Sequence, residues 1–136
     1  MSIILGLDIG KKRTGIAKSD SMGIIIKALK TVLTENLVDE LKNIEKEQAI
    51  EQFIIGEPIN VQEGNTEAHD FVLKTKTTIE ASFPNAKTTL IDERFSSKEA
   101  QEVIKNKGIK IDKTNKDLID SYAAAIILEQ YFNSLE

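Results

Sequence analysis

The chain has 136 residues, a formal net charge of −4 at pH 7 and 40% hydrophobic residues. This length is sufficient for one domain with a substantial core, and we expect residues 1–136 to form a single domain. The absence of cysteine excludes disulfides, thiolate zinc sites and cysteine nucleophiles. With no signal-peptide pattern and no run of about 20 apolar residues, we expect a cytoplasmic protein with no membrane partner. The net charge excludes a wholly basic nucleic-acid-binding surface, although acids that bind a metal would themselves count as negative.

The first third of the sequence predicts three consecutive strands. Residues 3–9 are almost entirely apolar, residues 14–18 form a second short apolar segment, and residues 24–32 form a third. A glycine-containing turn over residues 10–13 joins the first two segments. Such short connections are typical of an antiparallel meander.

The remainder of the sequence alternates between helical and strand patterns. Apolar residues recur at helical spacing in two segments, and two short apolar runs have the length of strands. The second helix is stopped by Pro84. In chain order, the predicted elements are a helix over 37–44, a strand over 52–56, a helix over 68–83 and a strand over 88–92.

Two further helices are predicted from capping boxes, in which a serine or threonine and an acid three residues later cap the first turn. Ser96 and Glu99 begin a helix that ends before Gly108, and residues 114–117 open a last helix that runs to about Tyr131. The order is therefore βββαβαβα plus a final helix. This order predicts an α/β protein of the ribonuclease H-like class, with a mixed five-stranded sheet flanked by helices. Strands one and four would then be central neighbours, and the ends of strands one, four and five would face one cleft together with the last helix.

Asp8 is the strongest candidate for a functional residue. It interrupts an otherwise apolar strand, and burying a carboxylate is costly unless a cation neutralises it. Hydrogen bonding to the following turn is the alternative explanation. Three basic residues follow directly, so the segment combines an acid for a metal with cations for a phosphate, which indicates phosphate-ester chemistry. These basic residues are Lys11, Lys12 and Arg13.

The end of the fifth strand supplies a second acid. Asp92 and Glu93 point to opposite faces if the strand continues, so only one should reach a crevice at the carboxyl ends of the strands. We favour Glu93. Pairing with Arg94 is the alternative explanation for an acid at this position.

Asp120 supplies a third acid on the last helix. It shares a stripe with two alanines, an isoleucine and Tyr131, and this stripe of small and apolar residues should pack on the sheet. Asp117 is explained by its capping box, whereas Asp120 lies a turn too deep to benefit from the helix dipole. We therefore expect Asp120 to be a ligand, with a salt bridge as the alternative.

Three carboxylates from Asp8, Glu93 and Asp120 would repel one another unless a cation lay between them. Mg²⁺ and Mn²⁺ prefer such oxygen ligands, and two ions about 4 Å apart can promote phosphodiester hydrolysis. We therefore expect Mg²⁺ or Mn²⁺ as the cofactor and these three acids as catalytic and metal-binding residues.

Other polar residues give weaker indications. Glu57 is either a fourth acid of the cleft or a surface acid before a proline, and Asn60 could contact substrate through its amide. His69 is expected to be solvated at the start of a helix. Lysines between 105 and 116 form a second basic cluster, which either solubility or phosphate binding explains.

Four segments of the sequence together resemble the YqgF family, also called RuvX, which is related to the RuvC Holliday-junction resolvase. They occur in the family's order and span nearly the whole chain. They are GLDIGKKRTGIAKSD (6–20), IIGEPIN with the glycine at 64, DERFSSKEA (92–100) and IDSYAAAIILEQYF (119–132).

The resemblance implies a metal-dependent nuclease for the 5′ end of pre-16S ribosomal RNA. The family's acids fall on Asp8, Glu93 and Asp120, and its phosphate-contacting cations fall on the 11–13 turn and Arg94. One departure is Glu57, where the family usually has an apolar or aromatic residue. Substrate contacts are therefore expected from Lys11, Lys12, Arg13, Arg94 and Asn60.

Three other functions remain open at this point. A branched-DNA resolvase would have to cut two strands and so act as a homodimer, whereas a monomer would count against it. The turn after Asp8 also resembles the phosphate-binding hairpin of the sugar kinase, actin and Hsp70 ATPases, which close two such domains on a nucleotide. A catalytically silent nucleic-acid-binding module in ribosome assembly is the third.

Overall fold

The computed structural model describes residues 2–58, 66–92 and 116–135, with side chains in the last segment described from residue 118. Within these ranges the chain forms five strands, three α-helices and one 3-10 turn. None of these helices is long and apolar enough to span a membrane. The strands are β1 (Ile3–Ile9), β2 (Arg13–Asp20), β3 (Ile26–Leu33), β4 (Ile50–Glu57) and β5 (Lys87–Asp92). The helices are α1 (Leu37–Glu47), α2 (Glu67–Ser82) and α3 (Lys116–Ser134), and the 3-10 turn is Thr34–Asn36.

The strands form one mixed sheet in the order β3-β2-β1-β4-β5. β1 pairs antiparallel with β2, and β2 with β3, whereas β1–β4 and β4–β5 are parallel. Short hairpins can join only antiparallel neighbours, and parallel neighbours need a crossover, which α1 and α2 provide. The predicted five-stranded sheet with strands one and four adjacent at its centre is confirmed.

The third strand begins two residues later than the sequence predicts. The Asp20 carboxylate accepts hydrogen bonds from the backbone N–H groups of Ile24 and Ile25, both at 2.9 Å. Those amides therefore belong to a turn closed by a side chain and are not available to the sheet ladder. The hydrogen bond from Ile25 is the main cause that lowers the pKa of Asp20.

The two faces of the sheet carry different cores. Odd-numbered residues of β1 pack with Phe53 and Ile55 against α1 and α2, and we call this side the α2 face. Ile4 packs with Ala17 and Ile54 against α3, and we call that side the α3 face. Because residues alternate along a strand, this division assigns every other strand residue to one face.

Helix α3 lies unusually close to the sheet. Ala123, Ala124 and Ile127 are buried, as the predicted stripe requires. A Cβ added to Gly6 would lie 2.8 Å from the carbonyl oxygen of Ala124. Small residues on both partners thus allow the helix backbone to approach the strands.

The last helix is longer than predicted, and the third predicted helix is not described. α3 continues beyond Tyr131 to Ser134, and Phe132 packs on Gly23, whose φ of +74° is one that glycine readily adopts. The predicted helix from Ser96 to before Gly108 lies outside the described residues, as does Thr114 of the last capping box.

Candidate active site

Asp8 lies next to the end of β1 and projects from the α3 face. It has the same parity as Ile4, which belongs to the core under α3. Its cross-strand partner in β2 is Gly15. The side chain is only partly buried, so the carboxylate remains accessible at the edge of the sheet.

Gly15 lies between Asp120 and Asp8, because it contacts the Asp120 backbone and is the cross-strand partner of Asp8. A Cβ added to Gly15 would lie 1.9 Å from the backbone carbonyl oxygen of Asp120, so α3 rests directly on this glycine. Cross-strand partners have Cα atoms roughly 5 Å apart, and the partner of Gly15 is Asp8. The structure therefore brings Asp8 and Asp120 together on the α3 face.

Arg13 accompanies the two acids. As the first residue of β2 it has the parity of Gly15 and Ala17, and so projects from the α3 face. Its Nε lies 3.7 Å from Oδ2 of Asp120. The side chains are 34% exposed for Arg13 and 29% exposed for Asp120, so the ion pair borders solvent. The sequence predicts a phosphate contact for Arg13, and the contact of Arg13 with an acid of the site is an addition that its spacing did not indicate.

The turn before Arg13 is fixed by a residue far along the sequence. Gly10 N–H donates to the Arg13 carbonyl at 3.0 Å, and Thr34 N–H donates to the Lys12 carbonyl at 2.9 Å. The Thr34 hydroxyl donates to the Gly10 carbonyl at 2.6 Å and lies 2.8 Å from the Thr14 hydroxyl. No local sequence pattern marks Thr34 for this role, because the contact depends on how β3 packs beside the turn.

The three basic residues of this turn diverge. Lys11 forms an ion pair with Glu67 in the first turn of α2, on the other side of the sheet from Asp120. The hydrogen bond from Lys11 is the main cause that lowers the pKa of Glu67. Lys12 is exposed. Among the predicted phosphate contacts that the structure describes, Arg13 is the residue that contacts an acid of the predicted site.

Glu57 and His69 form a pair on the α2 face. His69 Nε2 lies 2.7 Å from Oε2 of Glu57, and their side chains are only 13% and 23% exposed, respectively. The prediction of a solvated His69 is therefore wrong, because α2 turns this side chain toward the end of β4. Glu57 has the parity of Phe53 and Ile55 in the α2-face core, so it lies on the opposite side of the sheet from Asp8.

Asp92 lies beside Glu57 and shares its face. The two are register partners in the parallel pair of β4 and β5. Leu90 packs with the α2-face core and Ile91 with the α3-face core. Alternation therefore assigns Asp92 to the α2 face, away from Asp8 and Asp120.

Several predicted site residues lie outside the described residues. They include one of the three acids and two of the five substrate contacts, so the structure brings together two of the acids and leaves the third undescribed. Among the residues that the structure does describe, no group of three or more histidines, cysteines and acids could hold a metal ion. The undescribed positions are Asn60, Glu93, Arg94 and the lysines at 105, 107, 110 and 113; the Lys116 side chain is likewise undescribed.

The described part of the site combines hard oxygen donors with one adjacent cation. Asp8 and Asp120 supply carboxylates of the kind that divalent metals of the Mg²⁺ type prefer, and Arg13 supplies a guanidinium suited to phosphate oxygens. Closely packed backbone fixes both acids, since α3 rests on Gly15. Such an arrangement can hold a cation against an anionic substrate.

Comparison with known proteins finds relatives that align over nearly the whole chain. Several curated relatives are named "Putative pre-16S rRNA nuclease". The relative from Flavobacterium johnsoniae is 38% identical over 135 residues, and that from Porphyromonas gingivalis is 35% identical over 135 residues. In both comparisons the alignment covers 98% of this chain and 98% of the relative.

Solved structures support the fold. Thermus thermophilus RuvC in complex with a Holliday junction substrate matches with a TM-score of 0.60 and 11% identity, covering 99% of this chain and 96% of that one. A second structure of Thermus thermophilus RuvC matches with a TM-score of 0.59 and 10% identity. These likenesses confirm the predicted ribonuclease H-like fold. The sequence profile of the RuvX family, described as Holliday junction resolvase, matches residues 2–134, and the chain belongs to that family.

Proposed function

We propose that this protein is a divalent-metal-dependent nuclease that hydrolyses phosphodiester bonds, acting in the cytoplasm on the 5′ end of pre-16S ribosomal RNA. The names of relatives that align over nearly the whole chain support the substrate. Membership of the RuvX family supports the reaction class. We propose further that residues 1–136 act as one nuclease domain.

The observation that carries this proposal is the meeting of Asp8 and Asp120 on one face of the sheet, with Arg13 beside them. Carboxylates that share one face of a sheet repel each other less when a cation lies between them. Packing that fixes such acids in one region, as the contact of α3 with Gly15 does here, is typical of a functional site.

The donor set fits Mg²⁺ or Mn²⁺. We assign Asp8 and Asp120 as ligands from the described residues, and Glu93 as the third ligand from the sequence. A bound ion of this kind would supply the Lewis acid for phosphodiester hydrolysis. Within the protein, Asp8 and Asp120 hold negative charge at a fixed position, and Arg13 balances it and binds a phosphate oxygen. Lys12, Arg94 and Asn60 remain proposed substrate contacts.

The structure offers a matched control for the acids. Glu57 ends the strand beside β1 at the same edge of the sheet as Asp8, but it projects from the α2 face. Asp8→Asn and Glu57→Gln make the same change, from carboxylate to amide, on opposite faces. Both variants and wild type are incubated with end-labelled precursor 16S rRNA, single-stranded RNA and a four-way DNA junction, each with Mg²⁺, Mn²⁺ or EDTA.

We expect wild type and Glu57→Gln to cut the precursor RNA in the presence of metal, at rates that agree within about threefold. Asp8→Asn should lower the rate by at least a hundredfold, roughly the loss expected when a charge-stabilising group is removed from an active site. Cleavage that persists in EDTA or in Asp8→Asn would refute the proposal.

The substrate panel separates the alternatives. The RuvX family description favours a second candidate, a resolvase, which would cut the four-way junction in preference to RNA. A resolvase would also sediment as a dimer, since it must cut two strands. RNA binding without cleavage, equal in wild type and Asp8→Asn, would indicate a silent assembly module.

A further inference from the structure

We propose that Arg13 is the resident counter-ion of the acidic site and exchanges partners during function. In the protein without metal, its guanidinium neutralises Asp120. When a divalent cation binds the acids, Arg13 leaves Asp120 and becomes available to a substrate phosphate. This inference rests on the proposed function, because the second partner of Arg13 is a phosphate group of the proposed phosphodiester substrate.

The contact between Arg13 and Asp120 is close enough to neutralise charge and loose enough to break. The Nε to Oδ2 distance of 3.7 Å exceeds the range of about 2.7 to 3.2 Å for a hydrogen bond from nitrogen. Both side chains remain about one-third exposed. An ion pair of this kind, bordering solvent, contributes little to stability.

Movement is confined to the Arg13 side chain. Its carbonyl accepts from Gly10 N–H at 3.0 Å, and its Cα pairs with Leu33 in the sheet. Thr34 also binds the carbonyls of Gly10 and Lys12. The backbone at residue 13 is therefore anchored on both sides, while the long side chain can reorient at the solvent border.

Electrostatics favours the exchange. Arginine stays protonated at any working pH, so it cannot relieve repulsion by losing a proton. The Arg13 guanidinium would be repelled by a divalent cation bound at Asp120. Repulsion of this kind favours a change of partner for Arg13, and a substrate phosphate offers the bidentate partner that a guanidinium favours.

The first test measures Mn²⁺ affinity by calorimetry, independently of cleavage. Removing the competing cation in Arg13→Gln should tighten Mn²⁺ binding by about threefold to tenfold, the scale of a partly exposed charge pair acting on a divalent ion. Lys12→Gln is the matched control. This variant removes the same positive charge from the neighbouring residue, whose side chain is exposed. It should change the Mn²⁺ affinity by less than about twofold, because solvent screens an exposed charge.

Two further variants separate charge from shape and from folding. Arg13→Lys keeps the positive charge and should bind Mn²⁺ as wild type does. Arg13→Gln combined with Asp120→Asn should show no gain in affinity over Asp120→Asn alone, because the partner of Arg13 is absent. Urea unfolding confirms that each variant is folded before its affinity is compared.

The second test follows the Arg13 Nε–Hε resonance by NMR, assigned by its loss in Arg13→Gln. Addition of Mg²⁺ should shift this resonance, and a nonhydrolysable phosphodiester should shift it again. Two results would overturn the proposed exchange of partners while leaving the nuclease proposal intact. One is a Mn²⁺ affinity that is unchanged or weaker in Arg13→Gln, and the other is an Arg13 resonance that does not shift when Mg²⁺ is added. A wild type that binds no divalent metal would overturn both.

Discussion

The two faces of the sheet differ most at the edge where β1, β4 and β5 end. On the α3 face, two acids and an arginine meet at a partly open site above a glycine. On the α2 face, Glu57 is held by His69 and both are largely buried. Each face therefore presents an acid near these strand ends, but Asp8 lies in a site that borders solvent, whereas Glu57 is paired with His69.

This difference shows that the position of an acid along a strand does not by itself indicate its role. Asp8 and Glu57 lie near the ends of neighbouring parallel strands, and strand parity sends them to opposite sides. The nature of the covering helix decides the rest. α3 packs through its alanines against glycines of the strands, whereas α2 packs through large apolar residues and directs His69 to the strand end.

The largest effect is expected from Gly15→Ala, which would break the α3 face. The new methyl group would overlap the Asp120 carbonyl oxygen, so α3 must shift, at a cost of about 3 kcal/mol in unfolding free energy. Mn²⁺ affinity should fall as well, because Asp120 moves away from Asp8. Urea unfolding and calorimetry measure the two effects.

Gly6→Ala is the comparison for this prediction. Its methyl group also meets α3, at the Leu128 side chain and the Ala124 carbonyl, but one turn away from the acids. It should lower stability and leave Mn²⁺ affinity nearer to that of wild type. Wild-type metal affinity in Gly15→Ala would show that the contact with Gly15 does not position the acids.

The next effect separates stability from cleavage on the two faces. His69→Ala should lower the unfolding free energy by about 1 to 2 kcal/mol, because the Glu57 carboxylate loses a largely buried partner. Cleavage of precursor RNA should be unchanged. A double-mutant cycle with Glu57→Gln, followed by urea unfolding, measures the coupling.

The opposite pattern is expected at Asp8, where the amide variant should lower the cleavage rate by at least about a hundredfold and change stability less than His69→Ala does. Loss of cleavage in His69→Ala, at a temperature where the variant is fully folded, would contradict the division between the faces.

The smallest effect concerns the ion pair between Lys11 and Glu67. Since Lys11 lowers the pKa of Glu67, Lys11→Gln should raise that pKa toward its ordinary value, as followed by carbon NMR of the carboxyl group. A lowered carboxyl pKa stabilises the fold above the unfolded pKa, and this stabilisation is lost as pH falls through the folded pKa. The variant should therefore lose part of this dependence in the acid range. Arg13→Gln should leave the Glu67 pKa unchanged, because Arg13 contacts Asp120 on the α3 face and Lys11 contacts Glu67 on the α2 face.

Sequence periodicity predicted the parts of the fold that local patterns encode. The apolar run of β1 and the alanine stripe of α3 are confirmed, because burial imposes these periods on the sequence. The same stripe indicated that Asp120 would face the sheet. The central pairing of strands one and four was predicted from the ribonuclease H-like order of the elements, and it is confirmed.

Contacts between distant residues were not predictable in the same way. His69 was expected in solvent, since nothing near it in the sequence reveals that Glu57 lies within 2.7 Å. Thr34 shows no pattern for binding the 10–13 turn. One signal was available in the sequence. Glu57 stands where the family usually has an apolar or aromatic residue, and His69 is the chain's single histidine. These two unusual features could have suggested that the two side chains form a pair.

The contact of α3 with Gly15 also has a consequence for the order of events during synthesis. A ribosome makes Asp8 long before Asp120, so a nascent chain that has folded the meander of β1, β2 and β3 still lacks half of the acidic pair. The site is completed only when α3 has emerged and docked against strands that are already paired. Under the proposed function, the nascent protein would therefore have no nuclease activity until its own folding is nearly finished.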